Sequence, residues 1–394
     1  MNAVYLVSAA RTAIGTFGGT LKDMEPGALG AKAIVGALER AGVSPDLIEH
    51  TVIGSVIPNA PRDAYVSRIA AVEAGIPHES PAMTVNRLCG SGMQAIVSAA
   101  QMLMIGDHRI AVGGGTEIMS AAPYFLPAMR WGAKMGDAQA TDAMLGALQD
   151  PFHRYHMGIT AENVAEKYEI TREQQDEFAA ESQRRAAAAI EAGYFKDQIV
   201  PVEVKQRRET VMFDTDEHVK AGTTAEKLSG LRPAFKKDGG TVTAGNASGI
   251  NDGASAVVLA TEEAMKEHGL TPLARLVSYG HAGVDPAYMG IGPVPASRMA
   301  IEKAGLSKDD IDVVESNEAF AAQACAVSKQ LDLDPAKVNP NGSGISLGHP
   351  VGATGSIIVT KLIHELKRQG KKHGLATMCI GGGQGIATVW ESVD

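Results

Sequence analysis

Cysteine is scarce: the 394-residue chain has three, Cys89, Cys325 and Cys379. Their irregular spacing offers neither a disulfide framework nor a zinc signature, which points to a reducing compartment. Aromatic residues make up only 5%, while Gly reaches 44 residues. That balance suits closely approached helices and strands, and loops whose backbone comes near a ligand. Positive charge is also short, with 36 Lys and Arg against 45 Asp and Glu, a net charge of −9. A general nucleic-acid binder is therefore not expected, and an anionic substrate would need a local basic patch. The opening "MNAVYLVSAARTAIG" lacks a basic region followed by a long apolar run, so it reads as a buried strand and not a signal peptide. The stretch from Leu88 to Gly106 is uncharged and long enough to span a membrane. Ser91, Gln94, Ser98 and Gln101 recur through it, and Gly90 and Gly92 open it, so a central buried helix is expected. A cytoplasmic protein without membrane or nucleic-acid partners follows.

What is present begins with a repeat. "ALERAGVSPDLIE" from Ala37 is echoed by "AIEKAGLSKDDID" from Ala300, and "AVGGGTEIM" from Ala111 by "CIGGGQGIA" from Cys379. Two echoes in the same order imply an internal duplication. In the second pair, Ala111 stands against Cys379. Strand–helix alternation on both sides implies α/β layers. The texture changes between residues 120 and 249, where a charged helical run and a basic stretch from Lys205 to Lys237 intervene. The expected division is residues 1–119 with 250–272 as one half, 120–249 as an insertion, and 273–394 as the second half. Two such halves side by side create a cleft suited to a ligand.

Cys89 lies in "NRLCGSGMQA", between a β-prone stretch and a helix start. A thiolate there gains from unpaired backbone N–H groups and the helix dipole, which lower its pKa. Alone, a cysteine is more often buried packing. His349 sits in a glycine loop, "GSGISLGHPVGATG", held out of helical geometry by Pro350. Cys379 ends a strand before "IGGGQG", whereas Cys325 in a helical run reads as core. Asn317 and Glu318 are expected to begin the helix "NEAFAAQACAVSKQL", where an exposed amide could orient water or cap the helix. Two thiols, an imidazole, an amide and glycine backbone donors suit acyl-thioester chemistry: an acyl-enzyme, proton transfer beside a carbonyl, and stabilised oxyanions. None of these steps needs a metal.

The motifs "VNRLCGSG", "GGTEIMS", "HMGITAENVA", "GNASGINDGA", "NEAFAAQ", "GHPVGATG" and "CIGGGQG" run in order through almost the whole chain. Together they resemble the thiolase family. The resemblance implies an α/β thiolase fold: two duplicated α/β halves forming a layered α/β/α/β/α core, with an inserted loop domain for CoA and tetramer contacts. It implies Cys89 as the acylated nucleophile, His349 as its activator and Cys379 as acid and base at the α-carbon. Asn317 would position a water that forms one oxyanion hole with His349, and the N–H groups of Cys89 and Gly381 would form the other. CoA would touch Leu148, His156, Lys220, Phe235, Ala244 and Ser248, with Met157, Met289 and Phe320 bordering the acyl end. Coenzyme A is substrate and product; no metal or resident cofactor is implied. A homotetramer, a pair of dimers, is implied, with "APYFLPAMRW" as a candidate contact.

Three positions depart from the family pattern. Lys220 replaces an arginine near the CoA 3′-phosphate and offers a point charge instead of a planar fork. Lys227 stands where short-chain members often have a small polar residue, and Ser343 takes a glycine position in "NPNGSG". "HMGIT" with Met289 resembles the acetoacetyl-CoA-forming branch, whereas "APRDAYVSR" and "NRLCGSG" resemble thiolases that take longer chains. The implied activity is reversible Claisen condensation and thiolysis on short chains, up to a few carbons beyond acetoacetyl-CoA. Alternatives are a longer-chain thiolase of fatty-acid β-oxidation, a decarboxylating ketosynthase-like enzyme and a non-catalytic acyl-CoA-binding scaffold. A ketosynthase would carry histidine where Cys379 stands.

Overall fold

The computed structural model describes residues 1–206 and 209–393; Arg207 and Arg208 of the basic stretch lie outside the described residues, as does Asp394. The first half contributes β1 (Val4–Thr12), α1 (Pro26–Ala41), β2 (His50–Gly54), α2 (Val66–Glu73), β3 (Ala82–Val85), α3 (Ser91–Ile105) and β4 (Ile110–Ile118). After α4 (Met157–Tyr168) and α5 (Arg172–Glu191), β5 (Asn251–Thr261) returns to the same strands. The second half runs β6 (Ala274–Gly283), α6 (Pro293–Lys303), β7 (Val313–Ser316), α7 (Ala321–Leu331), α8 (Val351–Gln369), β8 (His373–Ile380) and β9 (Gln384–Ser392).

These strands lie in the order β7-β8-β9-β6-β1-β5-β4-β2-β3, within a sheet of 11 that includes short strands at Gly15–Thr16 and Ile199–Val200. The two halves join along one edge, where Tyr5 pairs with Arg275 and Leu6 with Ala274. Period-2 alternation then sorts side chains into separate cores. Val258 and Ala256 of β5 pack with Leu29, Ile34 and Ala37 of α1. Val257 and Leu259 face the other way, into a core shared by Met93 and Leu103 of α3, Ile358 and Leu362 of α8, and Ala376 and Met378 of β8. Leu375 and Val389 face outward against Ala296, Ala300 and Ile301 of α6. The order of layers is α1, first-half strands, α3 with α8, second-half strands, α6.

The uncharged α3 is thus a central helix between two β layers, with Met93, Ile96, Val97 and Leu103 fully buried. It crosses α8 where glycines permit close approach. A Cβ on Gly92 would lie 2.8 Å from the Ser356 nitrogen, and one on Gly355 only 2.3 Å from the Met93 nitrogen. That crossing brings the first turns of both helices together.

The duplication is visible in backbone detail. β1 carries a bulge between Leu6 and Ser8, and β6 carries one between Leu276 and Ser278. Two residues beyond each bulge, Ala10 pairs with Ala256 and Gly280 with Ala387.

Candidate active site

Cys89 occupies a tight turn between β3 and α3. Leu88, just before it, has φ of 45°, a left-handed conformation that costs a leucine about 1–3 kcal/mol. The turn is held by its own bonds: Asn86 Oδ1 accepts from the Leu88 N–H at 3.0 Å, and Ser91 Oγ accepts from the Arg87 N–H at 2.8 Å while donating to the Leu88 carbonyl at 2.7 Å. The half-buried thiol is thereby fixed two residues ahead of α3. Its pKa moves opposite to the helix-dipole expectation. Burial pushes Cys89 up, and the N–H groups of Gly381 and of Cys89 itself offset part of the rise.

His349 stands at the matching place in the second half, two residues ahead of α8. Gly348 before it has φ of 109°, and a Cβ there would lie 2.5 Å from Asn251 Cγ, so only glycine fits. The His349 N–H donates to Asn251 Oδ1 at 2.9 Å, and ring Nδ1 lies 2.6 Å from Thr354 Oγ1. The Thr354 hydroxyl donates to the Pro350 carbonyl at 2.9 Å. With that proton committed, Thr354 Oγ1 accepts from Nδ1–H, and Nε2 is left as the basic nitrogen. Burial depresses His349 to about 4, so the imidazole is neutral near pH 7.

Asn317 does not begin a helix, as its local sequence suggests. α7 starts at Ala321 with Phe320 as its N-cap, in extended backbone at φ −145°. The segment ahead is drawn into strand-like contacts: the Asn317 N–H donates to the Thr377 carbonyl at 3.0 Å, and Phe320 bridges to Ala247. Asn317 Nδ2 lies 3.4 Å from His349 Nε2, while the buried Oδ1 has no hydrogen-bond partner among the described residues. Glu318, also buried, accepts from Ser182 Oγ at 2.6 Å and Asn339 Nδ2 at 2.8 Å.

Cys379 is buried near the end of β8. Its pKa is pushed up by burial and further by charge on the neighbouring Cys89. Strand register corrects one reading of the duplication, the pairing of Ala111 with Cys379. The repeat matches His50 with Val313; His50 pairs with Ala111, and Val313 with Gly374. Ala111 therefore corresponds to Gly374, and Thr116 occupies the place of Cys379. The two glycine triplets misled because they do different work. Gly113–Gly115 lie inside β4, whereas residues 381–383 form the turn from β8 to β9.

The positions expected to border substrate fall into two groups. Met157, Met289 and Phe320 share one apolar cluster with Cys379, against which Phe235 packs. Phe235 also stacks on His156, with ring centroids 4.5 Å apart. Leu148 and Cys89 both pack against a second cluster that includes Val56, Ile57 and Met144, and the Leu148 carbonyl accepts from the Met157 N–H at 2.9 Å. The Ser248 N–H donates to the Ala319 carbonyl at 3.0 Å. Lys220 and Ala244 are exposed, and among the described residues no hydrogen bond or core contact joins them to the cysteines. The Lys220 N–H donates to Gln183 Oε1 at 2.8 Å, and Lys227 Nζ to the Gly222 carbonyl at 2.7 Å. Cys325 is half-buried on α7, its pKa pushed to about 12 by burial. Ser343 has φ of −154°, which serine adopts without strain.

Residues 4–263 match the thiolase N-terminal domain, and residues 270–392 the thiolase C-terminal domain. The chain belongs to the thiolase family. This thiolase is 64% identical to the beta-ketothiolase BktB of Cupriavidus necator over 390 residues, 99% of each chain. It is 53% identical to an acetyl-CoA acetyltransferase of the same organism, over 99% of this chain and 100% of the other. The crystal structure of the Bacillus anthracis acetyl-CoA acetyltransferase superposes with a TM-score of 0.97 at 51% identity, covering 100% and 99% of the two chains. Human mitochondrial 3-ketoacyl-CoA thiolase in complex with CoA gives 0.96 at 47% identity, covering 100% and 98%.

Thr354, Asn251 and Glu117 were not singled out from sequence. Asn251 and Thr354 lie within the quoted motifs, yet only the contacts with His349 show what they do. Leu88 had no signal, since a positive φ at leucine leaves no compositional trace.

Proposed function

We propose that this thiolase joins an acyl-CoA and acetyl-CoA reversibly into a 3-ketoacyl-CoA and free CoA, with a preference for short acyl chains. One observation carries the reading: the turn that holds Cys89 packs against the end of the strand that holds Cys379, so that a Cβ on Gly90 would lie 2.5 Å from Ile380 Cδ1 and one on Gly381 3.2 Å from Leu88 Cδ1. In the condensing direction, the Cys89 thiol gives its proton to neutral His349, and its sulfur attacks the acyl-CoA carbonyl. The departing CoA sulfur takes a proton from Cys379, leaving a thiolate. That thiolate removes the α-proton of acetyl-CoA, and the enolate attacks the Cys89 thioester carbonyl. Cys89 leaves as thiolate and recovers its proton from His349. Oxyanions form twice, one beside the N–H groups of Cys89 and Gly381, the other beside His349 and a water on Asn317.

The CoA moiety would lie along residues 120–249, past Leu148, His156, Phe235 and Ser248, with Lys220 and Ala244 further out. The exposed Tyr124, Phe125, Leu126, Met129, Trp131 and Met135 of that segment support a homotetramer, because such a patch is costly in water. Three free cysteines, two of them in the reacting cluster, support the cytoplasm. A role in fatty-acid metabolism belongs with the same reading.

Mass spectrometry after incubation with acetyl-CoA tests the first step. An acetyl adduct on Cys89 is expected, and its absence sinks the acyl-enzyme. Thiolysis rates across 3-ketoacyl-CoA chain lengths test the preference, which fails if longer chains are cleaved faster than acetoacetyl-CoA and its near homologues.

A further inference from the structure

Glu117 is a fully buried carboxylate that the reaction does not use. It lies on β4, one residue past Thr116, and its counterpart in the second half is Ile380, one residue past Cys379. Each reaches across to the turn ahead of the other half's central helix. Ile380 packs against the Cys89 turn so closely that a Cβ on Gly90 would lie 2.5 Å from Ile380 Cδ1. Glu117 reaches the His349 turn through hydrogen bonds. Its Oε2 accepts from the Gly352 N–H and the Val56 N–H, each at 2.9 Å, and its Oε1 from the Ile57 N–H at 3.1 Å. One face of the crossing is apolar and the other is a carboxylate with three amide donors. A carboxyl group so deep in the protein costs free energy unless its oxygens are hydrogen-bonded, in either protonation state, so the three donors tie three segments together.

We propose that Glu117 is a positioning residue for His349: by holding the Gly352 N–H against the turn at Val56 and Ile57, it seats the first turn of α8 and aims the imidazole at Cys89. The inference rests on the thiolase reading of the site. Asp252, on the neighbouring strand β5, bears on Glu117, Glu117 bears on Cys89, and Cys89 also faces the Cys379 thiol at the end of β8, which is the same in all the variants compared. Burial pushes Glu117 to about 8, against the pull of its three amide donors. Its negative charge, when present, also opposes a thiolate on Cys89.

Two roles therefore predict opposite signs. If Glu117 only contributes charge, Glu117→Gln lowers the apparent pKa at which iodoacetamide alkylates Cys89. If it positions His349, the thiol loses its proton acceptor and that pKa rises. The test uses full-length enzyme, comparing wild type with Glu117→Gln and Glu117→Asp. Expected for Glu117→Gln are a kcat lower by about 10- to 100-fold with KM for acetyl-CoA within about twofold, and an alkylation profile shifted to higher pH. Glu117→Asp, which keeps the acceptors on a shorter stem, should recover part of kcat. Far-ultraviolet circular dichroism confirms that each variant is folded before kinetics are read; should Glu117→Gln not fold, the Asp variant carries the same measurements. A folded variant with wild-type kcat, or a profile that is unmoved or shifted to lower pH, overturns the proposal. The thiolase reading fails separately, if wild-type enzyme forms no acetyl-Cys89.

Discussion

The two halves share a backbone down to a matched bulge, yet differ at the positions around the cysteines and the histidine. Cys89 and His349 stand at equivalent places, each two residues ahead of a central helix. Thr116 matches Cys379, and Glu117 matches Ile380. Thr116 turns its hydroxyl to the Pro26 carbonyl at 2.8 Å, inside its own half, whereas Cys379 joins the cluster around Met157 and Phe320. A duplicated scaffold supplies two helix starts and two strand ends at one crossing. Different side chains at four of those positions carry the proposed roles of nucleophile, base, acid and support, two in each copy. The cleft is asymmetric because the side chains differ on matched elements of the backbone.

The sharpest way to break this division is to remove the strand-end thiol, Cys379, whose first-half counterpart is Thr116. Cys379→Ser puts a smaller hydroxyl in place of the thiol and raises the barrier to carbanion formation, since a serine hydroxyl is far less acidic than a thiol and does not supply the thiolate base. Condensation and thiolysis should fall by about 10³-fold or more, while acetyl-CoA still labels Cys89. Coupled-assay rates beside mass spectrometry of the acetylated peptide separate the two steps. Condensation at near wild-type rate would return Cys379 to the status of its twin Thr116, a structural strand residue.

A smaller effect is expected at Thr354. Its twin is Gln94, whose Nε2 donates to Ser98 Oγ at 2.9 Å and whose Oε1 lies 2.8 Å from His281 Nε2, so the first-half residue serves no catalytic ring. Thr354→Val keeps the shape but cannot accept from His349 Nδ1–H. The tautomer and ring orientation are then free, and kcat should drop by about 10- to 100-fold with KM little changed. Thr354→Ser should restore most of the loss. Equal kinetics for the Val and Ser variants would show that another group fixes the ring.

The legibility of the molecule divides along the same line. The repeat at Ala37 and Ala300, the glycine loop around His349 and the cysteine on a turn were readable because each leaves a local pattern. Motif order then assigned Cys89, His349 and Cys379 roles that single residues could not. The match of Ala111 to Cys379 failed because three glycines look alike in a strand interior and in a turn; only register separates them. The expected drop in the Cys89 pKa became a rise because burial depends on what covers the thiol, and Cys89 packs against Val56, Ile57, Met119, Met144 and Val351, far apart in the chain. Glu117 escaped for the same reason, since its donors lie at Val56, Ile57 and Gly352, far apart in the chain.

The helix crossing offers the gentlest test. Gly355 and Ala95 occupy matched positions in α8 and α3, and Ala95 is tolerated with its side chain fully buried. A methyl group at Gly355 would meet the Met93 nitrogen at 2.3 Å and Met93 Cβ at 2.8 Å, atoms that belong to the facing backbone and its first side-chain carbon. These cannot rotate away, so the helices must separate. Overpacking of this kind costs about 1–3 kcal/mol, and the better helix propensity of alanine returns about 1 kcal/mol. Gly355→Ala should therefore lower the denaturant midpoint modestly. Ala95→Gly, by contrast, should cost about 1 kcal/mol through propensity and a lost methyl contact, without moving the crossing. Activity distinguishes them further, because only the Gly355 variant displaces the first turn of α8 and with it His349 relative to Cys89. A Gly355→Ala protein with unchanged stability and unchanged kcat would mean that the glycine crossing does not set the distance between the two catalytic turns.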